Sequence, residues 1–250
     1  TLKTGYNGIL IQDFWHYVNF DDVVDGAIVR NYTIYSSDSK FRIRHIRYQE
    51  YFSDLFSYAK KLNLSVFVYA DIPTFTPPLE NYLGSSKANV NKIISVCVKA
   101  IDEFFTIFPT VDGIVIRIGE LGGTHDMKEY YCRVVFDSFD STRQLLSSLL
   151  EVFNKYNKTL FFRIWSIGIG EMGDIHQDPK AYDRLLSEFE NEKNLVVSIK
   201  YVRGDFYRDL PFNPNIGHGK IRQMVEIEAV PEYGGFSMYP NYLVEIFQEF

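Results

Sequence analysis

The sequence predicts an α/β fold in which parallel strands form a (β/α)8 TIM barrel that is incomplete in this chain. Six short apolar segments have the length and β-branched composition of buried strands, and the readable segments between them have helical periodicity. Charged residues also follow several of these segments directly, which suits a ring of loops around the mouth of a barrel. The predicted strands are 8–12, 64–70, 113–118, 159–164, 195–200 and 223–229.

Six strands are fewer than the eight of a complete barrel. We therefore expect residues 1–250 to form a single catalytic barrel domain that lacks a strand at each end and is a fragment of a longer chain. An open doubly wound sheet is the alternative, but its glycine-rich nucleotide fingerprint is absent. The loop 167–176 resembles such a fingerprint only superficially, since no helix starts directly after its glycines.

Between the strands, apolar residues recur at the spacing of a buried helix face. We expect helices over residues 48–61, 90–108, 145–153 and 179–189. The third helix is expected to be capped by Asp140, Ser141 or Thr142, whose side chains accept hydrogen bonds from free backbone N–H groups. The segment 73–78 contains three prolines and is expected to continue no regular element.

The composition restricts the class of partner. A net charge of −6 without any basic cluster argues against nucleic acid, because phosphate binding requires concentrated lysine and arginine. The 16% aromatic content suits surfaces that stack on ring-shaped ligands, although core packing accounts for most of these residues. No apolar run approaches the ~20 residues that span a bilayer, so we expect no membrane span. We expect a soluble protein that is either cytoplasmic or, after cleavage of a signal peptide, periplasmic or secreted.

No cofactor and no metal are expected. Cys97 and Cys132 have neither the Cys-x-x-Cys nor the Cys/His spacing of a structural zinc site, and we interpret them as two buried thiols. Asp174 and His176 are possible ligands separated by one residue, but no third ligand lies near them in the sequence. A loop that folds over the substrate is the better interpretation of that segment.

Acidic residues follow the ends of two central strands. Glu120 lies just past the strand 113–118, and Asp71 directly follows the strand 64–70. Glu120 is the first candidate for chemistry, because catalytic residues in parallel α/β folds gather at the C-terminal ends of strands. An ordinary solvated loop carboxylate is the alternative, since a lone acid at a strand end does not distinguish the two.

The loop after the first strand changes from aliphatic to polar and aromatic residues. Trp15 and His16 in this loop suit either a pocket for a sugar ring or an aromatic plug over the barrel mouth. Both interpretations place the loop at the same end of the barrel as Glu120.

Set side by side, the strand ends resemble the catalytic barrel of the α-glucuronidases of glycoside hydrolase family 67. The motifs occur in order: Glu120 after its strand, Arg163 in Phe-Arg-Ile-Trp, and Lys200 five residues before the Asp205-Phe pair. Glu232 then precedes Tyr and Gly, and Pro-Phe-Asn-Pro follows the Asp-Phe pair at 211–214. The resemblance covers the second to seventh strands of that fold.

The resemblance implies an inverting glycosidase that acts on an oligosaccharide. It implies that Glu120 is the general acid and that Asp205 and Glu232 together activate the attacking water. It also implies that Arg163 binds the carboxylate of a uronate sugar. The other candidates for substrate binding are Arg117, Lys200, Trp165, Asp71 and Trp15. The carboxyl carbons of the three acids are expected to lie within about 10 Å of one another, since a water and one scissile bond must fit between acid and base.

Three alternatives remain open. Arg117 lies three residues before Glu120, whereas the basic residue of the family lies four before its acid, so a neutral sugar is a possible substrate. The two arginines and Lys200 can also be structural counter-ions of nearby carboxylates. The last alternative is a catalytically silent barrel that binds carbohydrate through its aromatic mouth.

Overall fold

A computed structural model describes residues 5–84, 89–118, 129–165, 170–204 and 210–227. Its main sheet contains six parallel strands whose order across the sheet follows their order in the chain. These strands are β1 (Gly8–Ile11), β2 (Ser65–Asp71), β3 (Gly113–Arg117), β4 (Thr159–Arg163), β5 (Leu195–Lys200) and β6 (Arg222–Glu226). A doubly wound sheet reverses its strand order at one point. The sequential order of the described strands is that of a partial (β/α) barrel, and the closed eight-stranded barrel stays a prediction.

Five α-helices lie among the described residues. They are α1 (Lys40–Lys61), α2 (Pro77–Leu83), α3 (Val90–Ile107), α4 (Phe139–Tyr156) and α5 (Pro179–Leu186). Helix α1 begins at Lys40, well before the predicted start at residue 48. Its early turns bury Arg42 and His45, so apolar periodicity does not mark them. None of the helices in the described part of the chain is long and apolar enough to cross a membrane.

Two local predictions need correction. Pro77 and Pro78 do not prevent a helix but open α2, since proline lacks only an N–H group that the first turn leaves unpaired. Helix α4 begins at Phe139, so its cap is Ser138 and not one of the three predicted residues. The Ser138 hydroxyl accepts a hydrogen bond from the backbone N–H of Ser141 at 3.2 Å.

The inner face of the sheet is concave. The rings of Phe67 on β2 and Phe161 on β4 lie 5.1 Å apart between centroids, although β3 separates their strands. Side chains of alternate strands meet in this way when a sheet curls towards a barrel, where they form shared layers. The same curvature brings together side chains at the ends of alternate strands.

Two short antiparallel strand pairs accompany the main sheet. Asp22–Val24 pairs with Ala27–Val29, and Thr74–Phe75 pairs with Tyr131–Cys132. The second pair ties the segment after β2 to the segment before α4. It thereby holds aromatic residues near the carboxyl end of β2.

Candidate functional site

A cleft of about 1340 Å³ lies at the carboxyl end of the sheet. Its floor includes the last residues of four strands, Asp71, Arg117, Arg163 and Glu226. Aromatic side chains form much of its wall: His16, Tyr17, Tyr48, Tyr51, Phe52, Tyr69, Tyr130 and Tyr131. Pockets for small ligands are usually about 300–1,000 Å³. The cleft therefore has room for more than one sugar ring.

Two of the predicted substrate-binding residues pair with each other. Arg117 and Asp71 stand opposite one another at the ends of β3 and β2. The Arg117 Nε donates to Asp71 Oδ1 at 2.6 Å and its Nη2 donates to Oδ2 at 2.9 Å. Tyr69 donates its hydroxyl proton to the same Oδ1 at 2.9 Å. One edge of the Arg117 guanidinium therefore serves as a counter-ion for Asp71.

Arg163 at the end of β4 forms a second ion pair. Its Nε lies 2.8 Å from Glu226 Oε1 and 2.9 Å from Oε2, and Ser198 donates its hydroxyl to Oε1 at 2.6 Å. Burial favours the neutral form of Glu226, but hydrogen bonding and charge from Arg163, with help from Ser198 and Lys200, hold its pKa below the ordinary value. Glu226 is therefore an ionised carboxylate in the cleft at neutral pH.

The guanidinium of Arg163 retains an unused edge. Glu226 occupies only its Nε, and neither Nη1 nor Nη2 has a hydrogen-bond partner among the described residues. Burial opposes the charge, but the hydrogen bond and charge of Glu226 outweigh it and raise the pKa of Arg163. Two N–H donors on adjacent nitrogens match the geometry of a carboxylate. Arg163 can thus hold an acidic group of a ligand while Glu226 fixes its orientation.

Lys200 and Trp165 lie together beside the cleft. The Nζ of Lys200, at the end of β5, is 3.5 Å from the centroid of a Trp165 ring, as in a cation–π contact. The Trp165 ring also packs edge-on against His176 at 4.9 Å. Neither Lys200 nor Trp165 lines the cleft. Their predicted roles in substrate binding stay predictions.

Trp15 lies beneath the wall of the cleft. Its side chain is buried, and its indole Nε1 donates to the backbone oxygen of Asp71 at 2.6 Å. It packs edge-on against Phe14. This geometry favours the aromatic plug over a direct sugar contact for Trp15, whereas the next residue, His16, lines the cleft.

Sequence reasoning did not select two carboxylates that line the cleft. Asp13 follows β1, and burial raises its pKa to about 7, opposed by the hydrogen bond from the Trp15 N–H and reinforced by the charge of Asp71. Its place after a predicted strand was the available signal. Glu226 was hidden because the sixth strand was predicted to run to residue 229, which placed this residue in its middle.

The three predicted catalytic acids, Glu120, Asp205 and Glu232, lie outside the described residues. Their convergence within about 10 Å therefore stays a prediction. The described strands that precede Glu120 and Glu232, β3 and β6, each end with a residue that lines the cleft.

Asp174 and His176 form structural contacts. Asp174 Oδ1 accepts the backbone N–H groups of His176 and Gln177 at 3.1 and 2.9 Å. His176 is fully buried, and its Nε2 lies 3.2 Å from the Val202 carbonyl oxygen. Within the described ranges, no group of three or more His, Cys, Asp or Glu residues is placed to hold a metal ion. The expectation that no metal is needed stays a prediction.

Comparison with known proteins shows remote structural likeness only. No protein-family model matches the chain, and no curated protein matches it. A D-tagatose 3-epimerase-like protein is 14% identical with a TM-score of 0.38, over 63% of this chain and 50% of that one. A glycoside hydrolase family 5 enzyme from Prevotella bryantii is 10% identical with a TM-score of 0.45, over 83% and 53%. A family 89 glycoside hydrolase from Clostridium perfringens is 5% identical with a TM-score of 0.41, over 68% and 20%.

The chain thus spans about half the length of the first two of these proteins. At such low identity and TM-score, these likenesses carry no information about activity or substrate.

Proposed function

We propose that this chain is the catalytic part of a glycoside hydrolase that removes a terminal acidic sugar, such as a uronate, from an oligosaccharide by an inverting mechanism. The observation that carries the proposal is the guanidinium of Arg163, which lines the cleft with Nη1 and Nη2 unoccupied by described residues. A fixed guanidinium with a free edge is suited to bidentate binding of a sugar carboxylate. The aromatic wall supports the proposal, because ring faces stack on sugars.

The charge balance of the cleft supports an anionic substrate. Asp71 is neutralised by Arg117 and Glu226 by Arg163, each through a direct ion pair. Burial keeps Asp13 protonated in part at neutral pH. The acids of the described cleft therefore present little uncompensated negative charge to an incoming carboxylate.

The proposed chemistry follows the family resemblance. Glu120 donates a proton to the leaving oxygen, while Asp205 and Glu232 activate a water on the opposite face of the sugar. In an inverting enzyme the acid and base carboxyl groups are separated by ~6.5–9.5 Å so that a water fits between them. Support comes from β3 and β6, whose last residues line the cleft.

The purified protein should release free uronate from an oligosaccharide that ends in an α-linked uronate. Proton NMR during the reaction should show the β-anomer first, because inversion changes the anomeric configuration. The matched control substrate carries a neutral sugar in place of the uronate. Preferential release of the neutral sugar would overturn the acidic specificity, and calorimetric binding without any turnover would identify a silent carbohydrate-binding barrel.

Asp13 makes binding of an acidic sugar dependent on pH. Its carboxyl group is neutral below its pKa of about 7 and negative above it. A further negative charge then appears in the cleft, so KM for the acidic sugar should rise as the pH increases through about 7. Steady-state kinetics of Asp13→Asn should show a flat KM over the same range. A rise that persists in Asp13→Asn would assign the titration to another group.

A further inference from the structure

Helix α1 contributes an exposed face to the cleft. Arg44, Arg47, Tyr48 and Tyr51 all line the cleft, and their spacing places them on one side of the helix. Other turns of α1 direct Phe56 and Ala59 into the core. We call Arg47, Tyr48 and Tyr51 the α1 rim.

The two tyrosine rings of the α1 rim share a support. Phe52 packs edge-on against Tyr48 at 6.1 Å and against Tyr51 at 5.2 Å. Phe52 in turn packs against the buried ring of Tyr17 at 5.0 Å. Tyr48 also meets His16, another residue of the cleft wall, at 5.8 Å. A contact chain into the core thus orients rings that are themselves exposed, which lowers the entropic cost of stacking a ligand on them.

Arg47 supplies an uncompensated charge beside these rings. It is exposed and forms no ion pair or hydrogen bond with any residue in the described part of the chain. The other arginines of the cleft each have a carboxylate partner: Arg44 has Glu129, Arg117 has Asp71, and Arg163 has Glu226. The α1 rim is therefore the place where the described cleft carries net positive charge.

We propose that the α1 rim is a second sugar subsite, in which Tyr48 and Tyr51 stack on a sugar ring further along the oligosaccharide and Arg47 binds an acidic group on that ring. The proposal rests on the proposed function and deepens it, because the substrate then carries acidic groups on at least two residues. The rim lines the same cleft as Arg163, so a further sugar of the same oligosaccharide is the ligand that can reach it. Aromatic rings beside a cation suit an acidic sugar, which presents an apolar ring face and an anionic edge.

Three substrates test the proposal by steady-state kinetics. The first is a single uronate on a chromogenic leaving group, the second is a uronate-terminated oligosaccharide with a second uronate, and the third replaces that second uronate by a neutral sugar. Arg47→Gln should lower kcat/KM by about fivefold on the second substrate alone, because only that one has an acid at the rim. Tyr51→Ala should lower kcat/KM by about fivefold on the second and third substrates, because both offer a ring to stack. The first substrate has no second sugar ring, so its kcat/KM should fall far less than that of the second substrate with either variant.

Tyr58→Ala is the matched control. Tyr58 lies on the same helix and is 60% exposed, close to the 65% of Tyr51, but it does not line the cleft. This control should leave all three rates unchanged. The subsite would be overturned if kcat/KM on the second substrate stayed within about twofold of wild type in both Arg47→Gln and Tyr51→Ala.

Failure of the proposed function has a different signature, because wild type would then hydrolyse none of the three substrates. In that case, calorimetric titration of the second substrate into wild type and the two rim variants tests whether the α1 rim binds a sugar. Weaker binding by both variants supports the subsite, and an equal Kd for all three proteins, or no binding by wild type, overturns it.

Discussion

Replacing Arg163 by alanine is expected to raise the activation free energy that kcat/KM reports for the acidic sugar by roughly 2–4 kcal/mol. The reason is that a charge-assisted bidentate contact in a partly buried cleft is lost. That corresponds to roughly a 30- to 900-fold loss of rate at low substrate concentration. The kcat/KM for a neutral analogue of the same sugar should fall far less, since the analogue makes no such contact. Parallel kinetics on the charged and neutral sugars measure the difference.

The ion pair with Glu226 requires a second variant as a control. Arg163→Ala leaves the Glu226 carboxylate without the guanidinium that holds its pKa down. Arg163→Ala combined with Glu226→Gln removes that uncompensated charge. If Arg163 acts only as a counter-ion, the single variant should lose activity on both sugars equally, and its pH optimum should shift. The double variant should then recover that activity. If Arg163 binds the substrate, the double variant should stay selectively poor on the acidic sugar.

Arg42→Ala is expected to lower the free energy of unfolding by about 3–5 kcal/mol, because it leaves the Asp21 carboxylate buried without its partner. Arg42 donates from Nη1 and Nη2 to the two Asp21 oxygens at 3.0 and 2.8 Å, and from Nε to the Tyr35 carbonyl at 3.0 Å. The two side chains are only 3% and 6% exposed. Urea denaturation followed by circular dichroism measures the loss.

Lys40→Ala is the matched control for Arg42→Ala. Lys40 also forms an ion pair from the start of α1, with Glu129, but its side chain is 66% exposed. Water and salt screen such a pair, so its removal should cost less than about 1 kcal/mol. A loss of that small size for Arg42→Ala as well would contradict the view that a buried pair fastens the segment around Asp21 to α1.

The strands were largely predictable because their signal is local. The fifth strand was predicted at 195–200 and occurs there, as Leu195–Lys200. All six of its residues are buried, and four of them (Leu195, Val196, Val197 and Ile199) are aliphatic, as is usual in parallel strands that are covered on both faces. Helix α3 was predicted with equal success, since nine of its residues are buried at helical spacing.

The partners of charged side chains could not be predicted, because they depend on contacts between distant segments. Glu103 lies within the apolar helix α3 and gives no local sign of a special role. The structure shows that it is buried and accepts the backbone N–H groups of Asn19 and Asp21, at 2.9 and 3.1 Å. Its burial raises its pKa to about 8. No periodicity in either segment encodes that contact.

The sequence alone therefore determined the order and type of the main strands and helices, and it placed Asp71, Arg117 and Arg163 at strand ends. Only the tertiary structure decided that Arg117 pairs with Asp71 and that Arg163 pairs with Glu226, which lies 63 residues further along the chain. Strand periodicity depends on neighbouring residues and can be read from the chain. The pairing of Arg163 with Glu226 depends on the curvature of the sheet, which brings β4 and β6 together across β5 and which no single segment specifies.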